Sequence, residues 1–143
     1  MIERTFSTIK PDAVAAGRAG EILAMIEGAG FKLLGARMLH MTKQQAREFY
    51  AVHRGKRFYE SLVTFMTGGP VIVLALERED AIAKLRELMG ATNPADAAEG
   101  TIRHRFATNI ERNAIHGSDG SATAETELRF FFSAADLLLG SGD

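Results

Sequence analysis

Six consecutive apolar residues, Val71-Ile72-Val73-Leu74-Ala75-Leu76, decide the fold of this chain. The run follows the turn-forming Gly68-Gly69-Pro70 and is followed directly by charged residues. A short apolar run framed in this way is typical of a central strand whose two faces are both buried. We therefore expect a sheet around this strand, with a helix layer over one face and loops or a second subunit over the other.

The sequence on either side predicts the remaining elements. Ile22 and Ile26 share one helical face, and Gly30 follows where a helix end favours glycine. Thr42 and Gln45 have the spacing of a capping box. Residues 123–131 fit a helix or a strand and favour a helix, which Phe130-Phe131-Phe132 would then anchor or follow as a last strand. The other predictions are strands at 4–10 and 31–39, helices at 19–29, 42–50, 58–66 and 79–89, and a loop from 90 to 105.

This order of elements indicates the fold class. Two strand–helix–strand units in succession are typical of the split βαβ, ferredoxin-like arrangement. We expect an α+β sandwich with a four-stranded antiparallel sheet covered by helices. Residues 1–143 are expected to form a single domain, and the small residues of Gly140-Ser141-Gly142-Asp143 predict a flexible tail.

Composition excludes several classes of protein. The 143 residues contain 17 Lys and Arg, 18 Asp and Glu, a formal net charge of −1, and no cysteine. Disulfides, zinc–thiolate sites and cysteine nucleophiles are therefore excluded, and no basic tail suggests binding to a specific nucleic acid. The sequence shows neither an apolar run of membrane-spanning length nor a signal-peptide pattern, so we expect a cytoplasmic protein with no membrane partner.

The common nucleotide-binding and hydrolase motifs are missing. The sequence contains no G-x-x-x-x-G-K-[ST], no G-x-G-x-x-G, no H-E-x-x-H and no G-x-S-x-G. Any phosphate-binding site must therefore be assembled from side chains scattered along the chain.

The segment Asn113-Ala114-Ile115-His116-Gly117-Ser118-Asp119 combines a histidine with small and turn-forming residues. A neutral imidazole is a competent nucleophile near neutral pH. Glycine allows a close approach to the backbone, and Ser118 and Asp119 can fix a turn. The alternative is a turn that carries an ordinary surface histidine.

Six motifs, in register over nearly the whole chain, resemble the nucleoside diphosphate kinase family. They are Ile9-Lys10-Pro11-Asp12-Ala13-Val14, Phe49-Tyr50-Ala51-Val52-His53, Phe65-Met66-Thr67-Gly68-Gly69-Pro70-Val71, Met89-Gly90-Ala91-Thr92-Asn93-Pro94-Ala95-Asp96, Gly100-Thr101-Ile102-Arg103, and the segment around His116. The resemblance implies a ping-pong transfer of the γ-phosphoryl group from a nucleoside triphosphate to a nucleoside diphosphate. It also implies Mg²⁺ carried by the nucleotide phosphates, with no metal bound directly by the protein.

The resemblance assigns the transfer chemistry to a few residues. His116 matches the phosphorylated histidine, and Glu127 matches the glutamate that holds the other ring nitrogen. Tyr50 would lie beside His116 as part of the catalytic group, which also includes Lys10. By pattern alone, Glu127 would be interpreted as a solvated charge on a helix, and Tyr50 would be interpreted as an aromatic residue of the core. The cations expected to bind phosphate are Lys10, Arg86 and Arg103, with Thr92 as a hydrogen-bonding partner.

The remaining assignments concern the nucleoside. Phe58 and Ile110 match a clamp on the base, and Leu62 would line the same cleft. Such a clamp stacks on any base, so broad specificity for the base follows. The resemblance also implies that both ribo- and deoxynucleotides are substrates. Other matches are His53 near the phosphates, Asn113 on the ribose hydroxyl, and Gly117 where the chain would pass close to the nucleotide. By pattern alone, Phe58 is a helix core residue, and Arg86 and Arg103 are solvated arginines.

Two departures from the family pattern stand close to the site. The family usually reads H-G-S-D-S, and here Gly120 replaces the last serine, which predicts lower stability or modestly slower transfer. His104-Arg105 replaces a small residue after Arg103 and would adjust either phosphate affinity or a subunit contact.

The resemblance also predicts a homo-oligomer, with a hexamer favoured over a tetramer. Two other functions were weighed against the kinase. One is a nucleotide-binding regulatory or interaction protein of the same fold with weak or lost catalysis, and the other is an unrelated ligand-sensing domain of ferredoxin-like fold.

Overall fold

The computed structural model describes residues 1–137, and the sheet inside it has four strands. These are β1 (Ile2–Ile9), β2 (Lys32–Leu39), β3 (Val71–Glu79) and β4 (Ile115–Gly117). They lie in the order β2-β3-β1-β4, and every neighbouring pair is antiparallel. This confirms the predicted α+β, ferredoxin-like arrangement. The predicted tail at 140–143 lies outside the described residues.

Eight helices connect and cover the strands within this part of the chain. They are α1 (Pro11–Ala15), α2 (Ala19–Gly28), α3 (Lys43–Phe49), α4 (Tyr59–Met66), α5 (Ala81–Met89), α6 (Ile102–Phe106), α7 (Ser121–Phe131) and α8 (Ala134–Leu137). Short 3-10 turns occupy Ala51–His53 and Pro94–Asp96. None of the helices in residues 1–137 is long and apolar enough to cross a membrane.

The central strand β3 divides its side chains between two cores. Val73 and Ala75 pack in a cluster with α3, α4 and α7, while Leu74 and Leu76 pack in a second cluster with α2, α5 and α6. All four residues are fully buried. The strand is therefore central, as expected. The expectation of loops or a second subunit over one face is wrong, because helices of this chain cover both faces.

Strand β3 is longer than predicted, and the helix after it begins later. Charged residues 77–79 continue the ladder with β1, because Glu77 pairs with Arg4 across the strands at 3.1 Å. Cross-strand ion pairing of this kind lets charged residues occupy a strand end. Asp80 then turns the chain with a left-handed φ of 51°, and α5 starts at Ala81 rather than at Glu79.

The segment predicted as a loop from 90 to 105 contains two ordered pieces. The Asn93 side chain accepts a hydrogen bond from the Ala95 backbone N–H at 3.0 Å, which starts the 3-10 turn. Thr101 caps α6 in the same way, accepting from the His104 N–H at 3.3 Å. Because the caps act over two or three residues and the helices are very short, hydrophobic periodicity gives no sign of them.

The last strand is not formed by Phe130–Phe132. Residues 121–131 form α7, as favoured, and the fourth strand is Ile115–Gly117. Three residues are too few for a recognisable alternation, so only pairing with β1 reveals this strand.

Candidate active site

His116 lies in the middle of β4, at the edge of the sheet. It pairs with Thr8 of β1, and the Ser7 hydroxyl donates a 2.7 Å hydrogen bond to its backbone carbonyl. Ile115 and Gly117 are buried on the opposite face, whereas the His116 side chain keeps 26% of its surface exposed. The strand therefore holds the histidine backbone firmly while its ring reaches solvent.

Gly117 is required by the packing beneath this strand. A Cβ there would lie 2.7 Å from the Met89 sulfur and 3.0 Å from a Leu85 methyl carbon of α5. The close approach of Gly117 to the nucleotide stays a prediction. The structure shows a close approach to α5, which only glycine allows to come so near β4.

The ring of His116 is oriented by a carboxylate from α7. Nε2 lies 3.0 Å and 3.1 Å from the two carboxylate oxygens of Glu127. The Ser118 hydroxyl donates a 2.6 Å hydrogen bond to Glu127 Oε1 and holds the carboxylate in place. This arrangement puts the ring proton on Nε2 and leaves the lone pair on Nδ1, to which the described chain offers no hydrogen bond.

The hydrogen bond of Ser118 changes the interpretation of Gly120. In the family pattern, the hydroxyl of the serine that Gly120 replaces is expected to support this glutamate. Within the described chain the hydroxyl on Glu127 comes from Ser118, while Gly120 is the N-cap of α7 and has no capping side chain.

Two phenylalanine rings lie next to the imidazole of His116. The ring centroids of Phe6 and Phe49 each lie 6.1 Å from that of His116, and the Phe49 ring meets it edge-on at 76°. Phe49 also packs against Phe131 of α7 at 5.2 Å. Phe6 and Phe49 have no predicted role, and Ser118 is predicted only to fix a turn, although Phe49 and Ser118 stand within the quoted motifs.

Three further aromatic residues run outward from the histidine. Tyr50 is 6% exposed, and burial followed by the charge of Glu127 raises the pKa of its phenol. Its ring lies 6.4 Å from His53, whose ring lies 5.1 Å from Phe58. Tyr50 is thus a core residue on which the charge of Glu127 acts.

His53 is electrostatically linked to the site. Burial lowers the pKa of His53, as do the charges of Lys56 and His116, while Asp119 opposes this effect. His53, in the turn after α3, is thus within electrostatic reach of His116 and Asp119, and its position near the phosphates stays a prediction.

Lys10 ends β1 in a buried position. Its ammonium donates to Asn113 Oδ1 at 2.8 Å and to the Glu111 carbonyl at 3.1 Å. Burial and, to a smaller extent, the charge of Arg103 lower its pKa to about 8, although the charges of Asp12 and Glu111 partly offset these effects. Lys10 is thus a cation held against a cost of desolvation, which a phosphate group would relieve.

Arg103 is the second buried cation and lies in α6 rather than in a loop. Its guanidinium donates to the Gly90 carbonyl at 3.0 Å and to the Ile115 carbonyl at 2.8 Å. Burial lowers its pKa to about 10, with a further contribution from Arg86, which is exposed on α5. Its Nε is buried without a hydrogen-bond partner among residues 1–137.

Asn113 joins this group to the loop after α5. Its amide nitrogen donates to the Thr92 carbonyl at 3.2 Å while its Oδ1 accepts from Lys10. The structure therefore brings together Lys10, Asn113 and Thr92, with Arg103 and Arg86 acting on the same region electrostatically.

The predicted base clamp is formed by side chains on two separate segments. Phe58 is 46% exposed before α4, and Ile110 is 59% exposed in the loop before β4. Leu62 is partly buried against the core. The structure leaves both large apolar side chains open to solvent. By pattern, Phe58 could have been a core residue, and its exposure excludes that alternative.

The unusual pair after Arg103 points away from the site. Arg105 lies 3.5 Å from Glu21 of α2 and its guanidinium lies over the Phe106 ring at 4.8 Å. His104 is exposed on the same short helix.

A resident metal site is not evident in the part of the chain that the structure describes. No three His, Asp or Glu side chains among these residues are grouped so that they could hold an ion.

Comparisons with known proteins agree on one family. The family model described as nucleoside diphosphate kinase matches residues 3–137. A nucleoside diphosphate kinase from Nitrosococcus oceani is 59% identical over 137 residues, covering 96% of each chain. The solved Aquifex aeolicus nucleoside diphosphate kinase superposes with a TM-score of 0.94 at 40% identity, covering 96% of this chain and all of that one. The Halobacterium salinarum nucleoside diphosphate kinase, solved in complex with CDP, gives 0.92 at 40% identity, covering 96% and 92%. The chain therefore belongs to the nucleoside diphosphate kinase family.

Proposed function

We propose that this chain transfers the γ-phosphoryl group of a nucleoside triphosphate to a nucleoside diphosphate through a phosphohistidine at His116. The hydrogen bonds from Ser118 to Glu127 and from His116 Nε2 to Glu127 carry the proposal, because they leave Nδ1 as the free ring nitrogen. The Nδ1 lone pair attacks the γ-phosphorus while the bond to the β–γ bridging oxygen breaks. The nucleoside diphosphate leaves, and a second one reverses the step and regenerates His116.

Glu127 is proposed to act on the ring throughout this cycle. As Nδ1 bonds to phosphorus, the imidazole gains positive charge, and a carboxylate on Nε2–H stabilises it. Since Glu127 is itself held by Ser118 and is only 12% exposed, the interaction is made in a partly dry environment, where it is strong. Tyr50 lies beside the pair and limits the entry of water.

Lys10, Arg103 and Arg86 are proposed to bind the phosphates, with Thr92 as a further hydrogen-bonding partner. Phosphoryl transfer depends mainly on positioning and on neutralising charge on the equatorial oxygens. Burial and the charge of Arg103 lower the pKa of Lys10, and burial and the charge of Arg86 lower that of Arg103; a polyphosphate would relieve these effects. The charge of His116 also acts on His53, which is proposed to lie near the phosphates.

The base is proposed to lie between Phe58 and Ile110, with Leu62 at the floor of the cleft and Asn113 on the ribose. Stacking and apolar contact do not distinguish bases, so ribo- and deoxynucleotides of any base are accepted. The CDP complex of the Halobacterium salinarum relative supports a nucleotide ligand on this fold. Mg²⁺ is proposed to arrive with the nucleotide as part of the substrate, because it commonly binds through substrate phosphates.

We further propose that the protein works in the cytoplasm as a homo-oligomer, a hexamer rather than a tetramer. The outer edge of β2 supports self-association, because Ala36, Arg37 and Met38 are exposed there and an open strand edge readily pairs. Light scattering after size exclusion measures the number of subunits directly.

The decisive experiment is intact-protein mass spectrometry after brief incubation with MgATP, followed by a chase with GDP. The wild type is expected to gain one acid-labile phosphoryl group and to lose it to GDP. His116→Ala is expected to gain none, and the matched control His104→Ala, which changes an exposed histidine, is expected to behave as wild type. A wild type that binds ATP and gains no phosphoryl group would refute the transfer and indicate a nucleotide-binding module.

A further inference from the structure

The backbone just before His116 adopts a conformation that needs support. Ala114 has a φ of 73°, and the Ile115 N–H donates to the Asn113 carbonyl at 2.9 Å across it. A hydrogen bond over two residues around a residue of positive φ is a γ-turn, and the form with positive φ is rare and strained. Residues with a Cβ adopt such a φ only where the surrounding structure imposes it.

Asp12 of α1 is one of the groups that impose this turn. Its Oδ2 accepts the Ala114 N–H at 3.1 Å, and the Ala114 carbonyl accepts the Lys10 N–H at 2.9 Å. The N–H and the carbonyl of Ala114 are thus both hydrogen-bonded to residues 10–12, which follow β1. The γ-turn therefore sets the directions in which the Asn113 amide and the His116 ring project from the backbone.

The second carboxylate oxygen of Asp12 is unusual. Oδ1 is buried and has no hydrogen-bond partner within residues 1–137. Leaving a carboxylate oxygen in this state is costly unless a positive charge is close by. The ammonium of Lys10 supplies that charge, since Asp12 is one of the groups that act on it.

We propose, on the basis of the function proposed above, that Asp12 is a positioning residue for phosphoryl transfer. Its carboxylate holds the γ-turn that aims His116 and Asn113, and its negative charge compensates that of the Lys10 ammonium. The opening motif that contains Asp12 marked the family, yet the resemblance assigned this carboxylate no role.

The two parts of this role are separable by substitution. Asp12→Asn keeps an oxygen for the Ala114 N–H and loses the charge, whereas Asp12→Ala loses both. Ala114→Gly removes the strain, because glycine adopts a positive φ without a steric cost. Glu60→Gln is the matched control: it neutralises an exposed carboxylate in the same groove as Asp12, and that carboxylate is paired with Arg47 at 3.7 Å.

The readout is the rate of His116 phosphorylation by MgATP, measured by rapid quench as a ratio to wild type at each pH. Asp12→Ala is expected to slow it roughly tenfold to a hundredfold, the scale of a misplaced reacting group. Adding Ala114→Gly to Asp12→Ala is expected to restore at least half of that loss on a logarithmic scale. A general loss of packing would not be rescued by a further deletion of a buried methyl group.

The pH dependence tests the charge. The groups that act on Lys10 are Arg103, Asp12 and Glu111, and its pKa of about 8 falls further when Asp12 is neutralised. Asp12→Asn is therefore expected to match wild type at about pH 6.5, where Lys10 stays charged, and to lose rate near pH 8. Glu60→Gln is expected to follow wild type at both.

Each result decides the matter. A normal wild type with an equally fast Asp12→Ala would overturn this inference and leave the proposed function intact. If Asp12→Ala is slow and Ala114→Gly fails to restore its rate, the part of the inference that concerns the turn is overturned. If the rate of Asp12→Asn relative to wild type does not change with pH, the part that concerns the charge is overturned. A wild type that is never phosphorylated would overturn both proposals together.

Discussion

Replacing Gly120 with serine is expected to stabilise this protein with little effect on the chemical step. Gly120 is the N-cap of α7, an eleven-residue helix, and no side chain caps its first turn. Its φ of −169° and ψ of 173° are extended values that serine adopts freely, and a Cβ there would meet nothing within 4 Å. The substitution therefore adds a cap and introduces no clash.

The size of the gain follows from two contributions. A serine cap is better than glycine by a few tenths of a kcal/mol. Replacing a glycine whose backbone the new residue tolerates adds about 0.4–1 kcal/mol through the unfolded chain. Together these give about 1 kcal/mol, which for a chain of 143 residues corresponds to a rise in Tm of about 3 °C.

The measurement is thermal unfolding of wild type, Gly120→Ser and Gly120→Ala at equal protein concentration. Alanine supplies the Cβ without a hydroxyl and is a poor N-cap, so its Tm is expected to stay near that of the wild type. The rate of His116 phosphorylation is expected to change less than about twofold in either variant, because the hydroxyl on Glu127 comes from Ser118. If Gly120→Ser is no more stable than Gly120→Ala, the capping argument is refuted. A large gain in the rate of His116 phosphorylation in Gly120→Ser would show that a serine at position 120 takes part in the transfer.

Four further outcomes are expected. Ser118→Ala removes a hydrogen bond to a largely buried carboxylate and is expected to slow phosphorylation roughly tenfold in rapid-quench assays, while the exposed Ser121→Ala leaves the rate unchanged. The kcat/KM for nucleotides is expected to fall above about pH 8 as Lys10 loses its proton, and Lys10→Met removes this limb of the profile. Because the pKa of Lys10 is about 8 in the folded protein and its ordinary value is 10.5, the unfolded chain binds more protons between these two pH values. The contribution of Lys10 to stability is therefore expected to rise with pH across that window in denaturation experiments. Phe58→Ala and Ile110→Ala are expected to raise KM for adenine, guanine and pyrimidine nucleotides by similar factors; a loss confined to one base would contradict a clamp that only stacks.

Local patterns in the sequence predicted much of the fold. The apolar run of β3, the capping box of α3 and the glycine after α2 act over a few residues, so each was recognisable without knowledge of its neighbours in space. The pieces that escaped recognition were those that local sequence specifies weakly. Strand β4 has three residues and exists only through its hydrogen bonds to β1, and α6 has five.

The candidate site shows the same division. The sequence by itself determined which residue types the site contains, because Lys10, Arg103 and His116 stand in characteristic motifs and Glu127 follows His116 eleven positions later. Only the tertiary structure decided which nitrogen of His116 faces Glu127 and which hydroxyl holds that carboxylate.

The physical reason is that these properties depend on contacts between distant parts of the chain. The bond from Lys10 to Asn113 joins residues 103 positions apart, and the bond from Asp12 to the strained Ala114 joins residues 102 positions apart. Burial, charge compensation and backbone strain arise when such segments meet. The sequence therefore determined the chemical groups of the site, and the meeting of the segment after β1 with the segment before β4 decided their geometry and their protonation.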